Sequence, residues 1–416
     1  MKILLINPNR YRTPPVPPLA LEYLAGALDG SPHGCRILDL CFADDPVGEL
    51  DREINAFKPD IAGFTIRNID TVIYHNNVFF LDDIKSLVSH VREKDIPVVL
   101  GGAGFSFVPE GILGYAGAEW GVYGPGERAL PALLDRYEQG DIPPHGTILD
   151  GWEYGIDTSH RRRHDAVDYG RYFGNRGLAG FETQKGCFGA CSYCPEGNRH
   201  VMFKNPSGVV EEISELTARG ITSFHLCDTE FNQDLAHCKA FLEALIASNT
   251  GITWVLYMKT SPYDDDLFRL LRKSGAQLVT LSVPTGDDSL DHAETVCRLA
   301  RKYGLRLAVD FLCGFPGETA ETVRAALERL RGMAPDTVGV NSYFRLIPKL
   351  AVTSQILSSP DHGHYLLGEV ENNPDMIRPV FYNSITMDML KELVGDDPLF
   401  RIEGFERTSN YERLRG

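Results

Sequence analysis

Gly180-Phe181-Glu182-Thr183-Gln184-Lys185-Gly186-Cys187-Phe188-Gly189-Ala190-Cys191-Ser192-Tyr193-Cys194 sets three cysteines within eight residues, directly behind a stretch near 180–185 that reads as a strand. In αβ barrels the reactive loops lie beyond the carboxyl ends of the strands, so the thiols are expected in such a loop. A structural zinc would want a fourth Cys or His at motif-like spacing, and His200 is the one residue near enough to serve. An iron-sulfur cluster held entirely by protein would want a fourth cysteine, and none stands at that spacing. Three thiolates on a four-iron cluster leave one iron open to a small molecule.

Downstream, strands are expected near 222–227, 252–258, 277–283, 306–313 and 337–343, with helices near 208–219, 233–247, 264–274, 287–303 and 319–332. Gly220, Gly275 and Gly304 fall where helices end. Six strand-helix units predict an open, partial (β/α)6 TIM-type barrel over 178–345, with a closing segment over 346–416 whose sequence is less regular. Upstream, residues 1–140 alternate in the same way: strands at Lys2–Asn7, Arg36–Leu40, Ile61–Thr65 and Pro97–Leu100, and helices near Pro18–Leu28 and Leu81–Arg92. This alternation predicts a separate α/β domain with a Rossmann-like parallel sheet. Between them, 141–177 loses periodicity and gathers Pro, Gly, His and charge, as a linker does. Its basic run, Arg161-Arg162-Arg163-His164, is expected to be solvated.

With 416 residues, 43% apolar and 24% charged, the chain is long enough for two cores. A net charge of −16 opposes binding to nucleic acid and anionic membranes and mildly favours cationic or neutral partners. No apolar run reaches the length of a membrane span, and Ile3-Leu4-Leu5-Ile6 is cut off by Asn7-Pro8-Asn9. Nine cysteines without a secretory pattern suggest a reducing, cytoplasmic setting. Cys35, Cys41, Cys227, Cys238, Cys297 and Cys313 lack paired spacing and are expected to be small buried residues rather than ligands of a second cluster.

The Cys-x3-Cys-x2-Cys spacing, the aromatic Tyr193 before the last cysteine and the lead-in Thr183-Gln184-Lys185-Gly186 resemble the radical S-adenosylmethionine (SAM) superfamily. The resemblance implies a [4Fe-4S] cluster on Cys187, Cys191 and Cys194 whose open iron chelates SAM and cleaves it reductively to a 5′-deoxyadenosyl radical. It implies further SAM contacts from Tyr193, from Asp228 and Glu230 after the second barrel strand, from Lys259, from Ser282 in Leu281-Ser282-Val283-Pro284, and from Gly314 and Gly317 in Gly314-Phe315-Pro316-Gly317-Glu318. Each has a plainer alternative. Asp228 and Glu230 could cap a helix together with Asp234, Ser282 could sit in a turn, and the glycines could simply turn a strand-to-helix corner.

The first domain resembles the cobalamin-binding domains fused in front of many radical SAM enzymes, through Asn7-Pro8-Asn9, Pro17-Pro18-Leu19-Ala20-Leu21-Glu22-Tyr23-Leu24, Gly101-Gly102 and Gly124-Pro125-Gly126-Glu127. It departs from cobalamin proteins in two ways: no Asp-x-His-x-x-Gly comes after the first strand, and Arg67 stands in the turn after the third. The guanidinium could obstruct the nucleotide tail, bind its phosphate or face Asp70. Arg67, Gly101 and Gly102 are the residues expected around that cofactor.

The resemblance therefore implies a radical SAM enzyme acting on a small biosynthetic substrate, and the acidic chain would suit a cationic one. Cobalamin-dependent C-methylation is the leading expectation, against a cobalamin-independent radical dehydratase, a cyclisation or rearrangement, and more remotely a noncatalytic redox relay. An electron donor such as flavodoxin or ferredoxin is expected, and a partner dehydrogenase would suit the dehydratase. Glu196, His225 and Glu230 are the candidate acid-base residues by position.

Overall fold

The computed structural model describes residues 1–158, 163, 165–286 and 288–404. It divides into two compact units, Met1–Thr71 with Val78–Gly180, and Val72–Asn77 with Phe181 onward.

The first unit is built on strands β1 (Lys2–Asn7), β2 (Gly34–Asp39), β3 (Ile61–Thr65), β4 (Val98–Gly101), β5 (Trp120–Tyr123) and β6 (Thr147–Asp150). All pair in parallel in the order β2-β1-β3-β4-β5-β6. The inner strands β1, β3, β4 and β5 are short, apolar and almost wholly buried, as expected of a parallel sheet covered by helices on both faces. Those helices are α1 (Leu19–Leu28), α2 (Pro46–Phe57), α3 (Leu81–Arg92), α4 (Pro109–Ala116) and α5 (Ala129–Glu138), with short α6 (Gly151–Tyr154) and α7 (Tyr169–Gly174) after them. Leu21, Ala25 and Leu28 of α1 and Leu130, Leu133 and Leu134 of α5 join Ile3, Leu5, Val99 and Trp120 in one core. The strand order reverses direction between β1 and β3, and in such sheets that switch point opens a crevice at the carboxyl ends of the strands.

Two expectations for 141–177 are corrected. Thr147–Asp150 is β6, paired along its length with β5, a strand too short and too close to Pro143-Pro144 to show periodicity. Arg163 is not solvated but 1% exposed. Its Nη2 donates to Glu22 Oε2 (2.5 Å) and its Nη1 to Gly180 O (2.9 Å). A buried carboxylate on α1 needs a counter-charge, and Arg163 supplies it. Arg161, Arg162 and His164 lie outside the described residues.

The second unit carries a sheet in the order β18-β14-β13-β12-β11-β10-β7. Its strands are β7 (Ala179–Phe181), β10 (Ser223–Leu226), β11 (Thr253–Met258), β12 (Ala276–Pro284), β13 (Arg306–Leu312), β14 (Thr337–Val340) and β18 (Phe400–Ile402). Between β7 and β10 lies the cysteine loop, bracketed by the small antiparallel pair β8 (Gln184–Lys185) and β9 (Met202–Phe203). The helices α8 (Pro206–Ala218), α9 (Leu235–Ser248), α10 (Asp265–Lys273), α11 (Ser289–Tyr303) and α12 (Ala320–Met333) alternate with the strands.

The partial parallel barrel is as expected, with a seventh strand added. Phe400–Ile402 runs parallel to β14 through Val338, Gly339 and Val340, and three residues carry too little pattern to be read as a strand. Before it come β15 (Phe344–Arg345), α13 (Ala351–Ser358), β16 (Leu366–Leu367), β17 (Phe381–Tyr382) and α14 (Met387–Val394), the short strands forming a sheet in the order β15-β17-β16.

Among the described residues no helix is long and apolar enough to cross a membrane.

Candidate active site

All three motif cysteines lie between β8 and β9 as free thiols, Cys187 buried, Cys191 and Cys194 half-buried. The loop is held by its own backbone: Cys194 N donates to Cys191 O (3.2 Å), Asn198 N to Gly189 O (2.5 Å) and Arg199 N to Cys187 O (2.8 Å). Cys187 Sγ accepts from Gly189 N (3.3 Å) and Gln233 Nε2 (3.2 Å), donors that suit a thiolate. Burial pushes the Cys194 thiol up to about 11, so a thiolate there needs a positive partner such as iron. Among the described residues no three His, Cys, Asp or Glu side chains converge on a single ion. In a four-iron cluster each thiolate binds a different iron, so its ligands need not converge on one ion. The donor set fits the cluster.

Beside the loop, the segment after β10 carries the acids. Asp228 is used by the chain itself: it accepts from Thr183 N (2.7 Å), Gln184 N (3.2 Å) and, in a short bond, the Thr183 hydroxyl. Burial nevertheless pushes its carboxyl up to about 7 against those donors. Asp228 thereby pins the lead-in to the cysteines. The helix cap belongs instead to Asp234, whose side chain accepts from His237 N (2.7 Å) at the start of α9.

Glu230 is different. Its Oε2 is buried without a hydrogen-bond partner. Burial lifts its pKa to about 7, with Lys259 and the Ser282 hydroxyl favouring the charged form and Asp310 opposing it. An orphaned carboxylate oxygen next to a lysine and a serine suits a donor such as an ammonium or hydroxyl. Lys259 comes directly after β11, and its ammonium overlies the cysteine loop so closely that a Cβ on Gly189 would lie 2.5 Å from Nζ. Ser282 lies inside β12, in register with Asp310 of β13, and not in a turn.

The neighbouring strand ends add more polar groups. Asp310 is raised to about 7, first by burial, then by Glu403, against Arg401 and a hydrogen bond from Tyr257. His225 of β10 lies 5.9 Å from the Tyr257 ring of β11. Glu196, just past the last cysteine, is pushed up by burial against Arg199 and Lys185. Tyr193 packs on Phe315 with centroids 5.3 Å apart, and burial beside Cys191 raises its hydroxyl.

Gly314 and Gly317 both have positive φ, +89° and +88°. Gly317 is open around Cα, but a Cβ on Gly314 would lie 1.9 Å from Asn383 Oδ1. Asn383 cannot retreat: it donates to Ser342 O (2.9 Å) and accepts from Ile385 N (2.6 Å). Glu318 completes the turn, accepting from Gly314 N (2.7 Å) and, in a short bond, the Thr285 hydroxyl. Gly314→Ala is therefore expected to cost about 1–3 kcal/mol of stability and to loosen the segment around Asn383. Faster proteolytic cleavage within 366–385 is the measurement that checks it.

In the first unit the strand-end loops meet. Gly102 has φ +101°, and a Cβ there would lie 2.6 Å from Ile66 O, so the turn after β4 abuts the turn after β3. Ser106 Oγ donates to Gly102 O (3.0 Å) and accepts from Gly124 N (3.0 Å). Gly101 is less crowded, with Val122 O at 3.6 Å from an added Cβ. Arg67 is exposed at this edge, and Asp70 is buried. His33 and His90 are paired with Asp135 and Asp51, and His145 packs on Trp120.

Sequence reasoning missed Gln233, Glu318, Asn341 and Asn383. Asn232 and Gln233 directly continue the acidic segment, a polar pair that was a readable signal. Asn341, which accepts from Cys313 N (2.7 Å) and donates to Cys313 O (3.1 Å), and Asn383 come from parts of the chain without a motif. Of the six remaining cysteines, Cys41, Cys238, Cys297 and Cys313 are buried and Cys35 half-buried, but Cys227 is exposed. It stands just past β10, where the chain turns out of the sheet.

A parallel sheet with a switch-point crevice, joined to a partial barrel with three cysteines at a strand end, defines a class. The chain is a radical SAM enzyme with an N-terminal cobalamin-binding-like domain: residues 11–134 match the B12 binding domain and 181–330 the Radical SAM superfamily. It is similar to tryptophan 2-C-methyltransferase of Streptomyces laurentii, 28% identical over 89% of this chain and 77% of that protein. It is also similar to the radical SAM methyltransferase TsrM of Kitasatospora setae. With tryptophan and aza-SAM bound, that structure matches with a TM-score of 0.88 and 26% identity over 99% of this chain and 93% of the other. With cobalamin and a [4Fe-4S] cluster bound, it matches with 0.87 and 25% over 96% and 92%.

Proposed function

We propose that this chain is a cobalamin-dependent C-methyltransferase whose substrate is a small aromatic amino acid or close relative, tryptophan being the first compound to test. The observation that carries the reading is the continuous match, through both units in the same order, to a methyltransferase solved with tryptophan and a SAM analogue.

In this reading Cys187, Cys191 and Cys194 hold the cluster, and Tyr193, Glu230, Lys259, Ser282 and the Gly314–Gly317 turn receive SAM. Asp228 acts through Thr183 and Gln184 as a positioning residue. Arg67, Gly101 and Gly102 flank the cobalamin. When bound, these groups together supply a transferable methyl and one-electron chemistry. The chain's own part is to orient the substrate carbon and to dispose of the hydrogen that the methyl replaces. A carboxyl with a pKa of about 7, such as Glu230, is matched to taking a proton near neutrality. Glu196 and His225 are the alternatives within the same unit.

Nine free cysteines among the described residues accord with a reducing cytoplasm, and the electron would come from a flavodoxin or ferredoxin.

The test is anaerobic incubation of cluster- and cobalamin-loaded protein with SAM, reductant and tryptophan. The expected result is tryptophan heavier by one methyl in place of hydrogen, absent when cobalamin is left out. Protein that takes up no cobalamin, or that methylates neither tryptophan nor other indoles, would refute the proposal. 5′-Deoxyadenosine formed in step with methylated product would assign hydrogen removal to SAM cleavage, and its absence would assign it to a protein base.

A further inference from the structure

We infer that Gln233 sets the reduction potential of the cluster by donating a hydrogen bond to Cys187, which rests on Cys187 being a cluster ligand as proposed above. Gln233 Nε2 lies 3.2 Å from Cys187 Sγ, and Gln233 Oε1 accepts from Phe188 N at 3.1 Å. The two contacts fix which end of the amide is which. Phe188 N–H can only donate, so it must face the amide oxygen, and the NH2 group must then face the sulfur.

The donor is also held in place. Asn232, next to it in sequence, is fully buried and clamped by three bonds: Nδ2 to Lys259 O (2.9 Å) and to Pro262 O (2.6 Å), and Lys259 N to Oδ1 (2.8 Å). Gln184 Nε2 holds the preceding turn through Glu230 O (2.6 Å) and Phe231 O (3.2 Å). Backbone carbonyls on one side and the cysteine loop on the other leave Gln233 little freedom to drift away from the sulfur.

Reduction adds negative charge to the cluster and its thiolates. A fixed N–H dipole aimed at one sulfur stabilises the reduced form more than the oxidised form, which raises the potential. Gly189 N makes the same kind of contact from the backbone at 3.3 Å and stays in place when residue 233 is changed. Gln233 is therefore a positioning residue with an electrostatic effect, acting through the sulfur and not on the substrate.

The test compares wild type with Gln233→Glu and Gln233→Leu, each reconstituted with iron and sulfide, by an EPR-monitored redox titration without SAM or substrate. Gln233→Glu keeps an acceptor for Phe188 N–H and replaces the donor with a negative charge. Gln233→Leu removes both contacts. The expected result is a midpoint shifted to more negative potential in both, further in Gln233→Glu, at unchanged iron per chain. An unshifted or more positive midpoint in Gln233→Glu at full iron content overturns the inference. An unshifted midpoint in Gln233→Leu at full iron content overturns it too, and should that variant fail to hold iron, the uncharged Gln233→Met takes its place. Because nothing turns over, failed tryptophan methylation leaves this readout intact. A wild type that assembles no cluster would overturn both the site assignment and this inference.

Discussion

Cys191→Ala is expected to reduce methyl transfer and SAM consumption below detection while leaving the fold intact. The residue is half-buried in a loop that is held by backbone bonds, so losing the thiol creates no large cavity. What is lost is one of three ligands, and two thiolates cannot keep an open-iron cluster in place. Iron per chain after reconstitution should fall with activity, while the far-ultraviolet circular dichroism stays that of wild type. Cys297→Ala is the control. That cysteine lies buried in α11, away from the motif loop in sequence and element, and its loss should leave iron content unchanged. Equal iron in Cys191→Ala and wild type would remove this cysteine from the cluster.

Arg163→Met should be among the most destabilising single changes in the first unit. Glu22 is wholly buried on α1, and its Oε2 accepts from both Arg163 Nη2 (2.5 Å) and Tyr169 OH (2.6 Å). Removing the guanidinium leaves a buried carboxylate with only a phenol to face, at an expected cost of about 3–5 kcal/mol. The denaturation midpoint, monitored through the tryptophan emission of this unit, Trp120 and Trp152, reports it. Glu22→Leu combined with Arg163→Met should recover most of the loss, because the pair removes the charge and its partner together. No recovery in the double variant would mean that the arginine acts through its other contacts, such as Gly180 O and the Tyr23 ring, rather than through the charge.

Arg163 also shows where sequence reading stops. The run of basic residues in a polar stretch looks solvated, and nothing local indicates that one member turns inward to a glutamate 141 positions earlier. The strand-helix alternation, by contrast, was legible because apolar strands and periodic helices recur at regular intervals. Short strands escaped: Trp120–Tyr123, Thr147–Asp150, Phe400–Ile402 and two-residue pieces such as Met202–Phe203 and Leu366–Leu367. The cysteines were legible because their spacing is itself chemical. Glu230 and Asp228 are equal candidates by position, and the structure separates them: Asp228 is occupied by Thr183 and Gln184, while Glu230 keeps a buried oxygen without a partner. Which of two neighbouring acids keeps an oxygen without a partner depends on the backbone around each, and no local pattern encodes that. Gln233 went unread for a similar reason: its partner sulfur lies 46 positions away.

The strand Phe400–Ile402 has a consequence for the order of events during synthesis. Until these residues have left the ribosome, β14 presents an unpaired edge, the kind of surface that recruits stray strands from other chains. The same segment brings two opposed charges to Asp310 inside the barrel, Glu403 raising its pKa and Arg401 lowering it. A nascent chain halted before residue 400 would thus hold a nearly complete sheet with an open border. The sheet therefore closes only once residue 402 has emerged, and aggregation of chains stalled before it should far exceed that of chains that carry the strand.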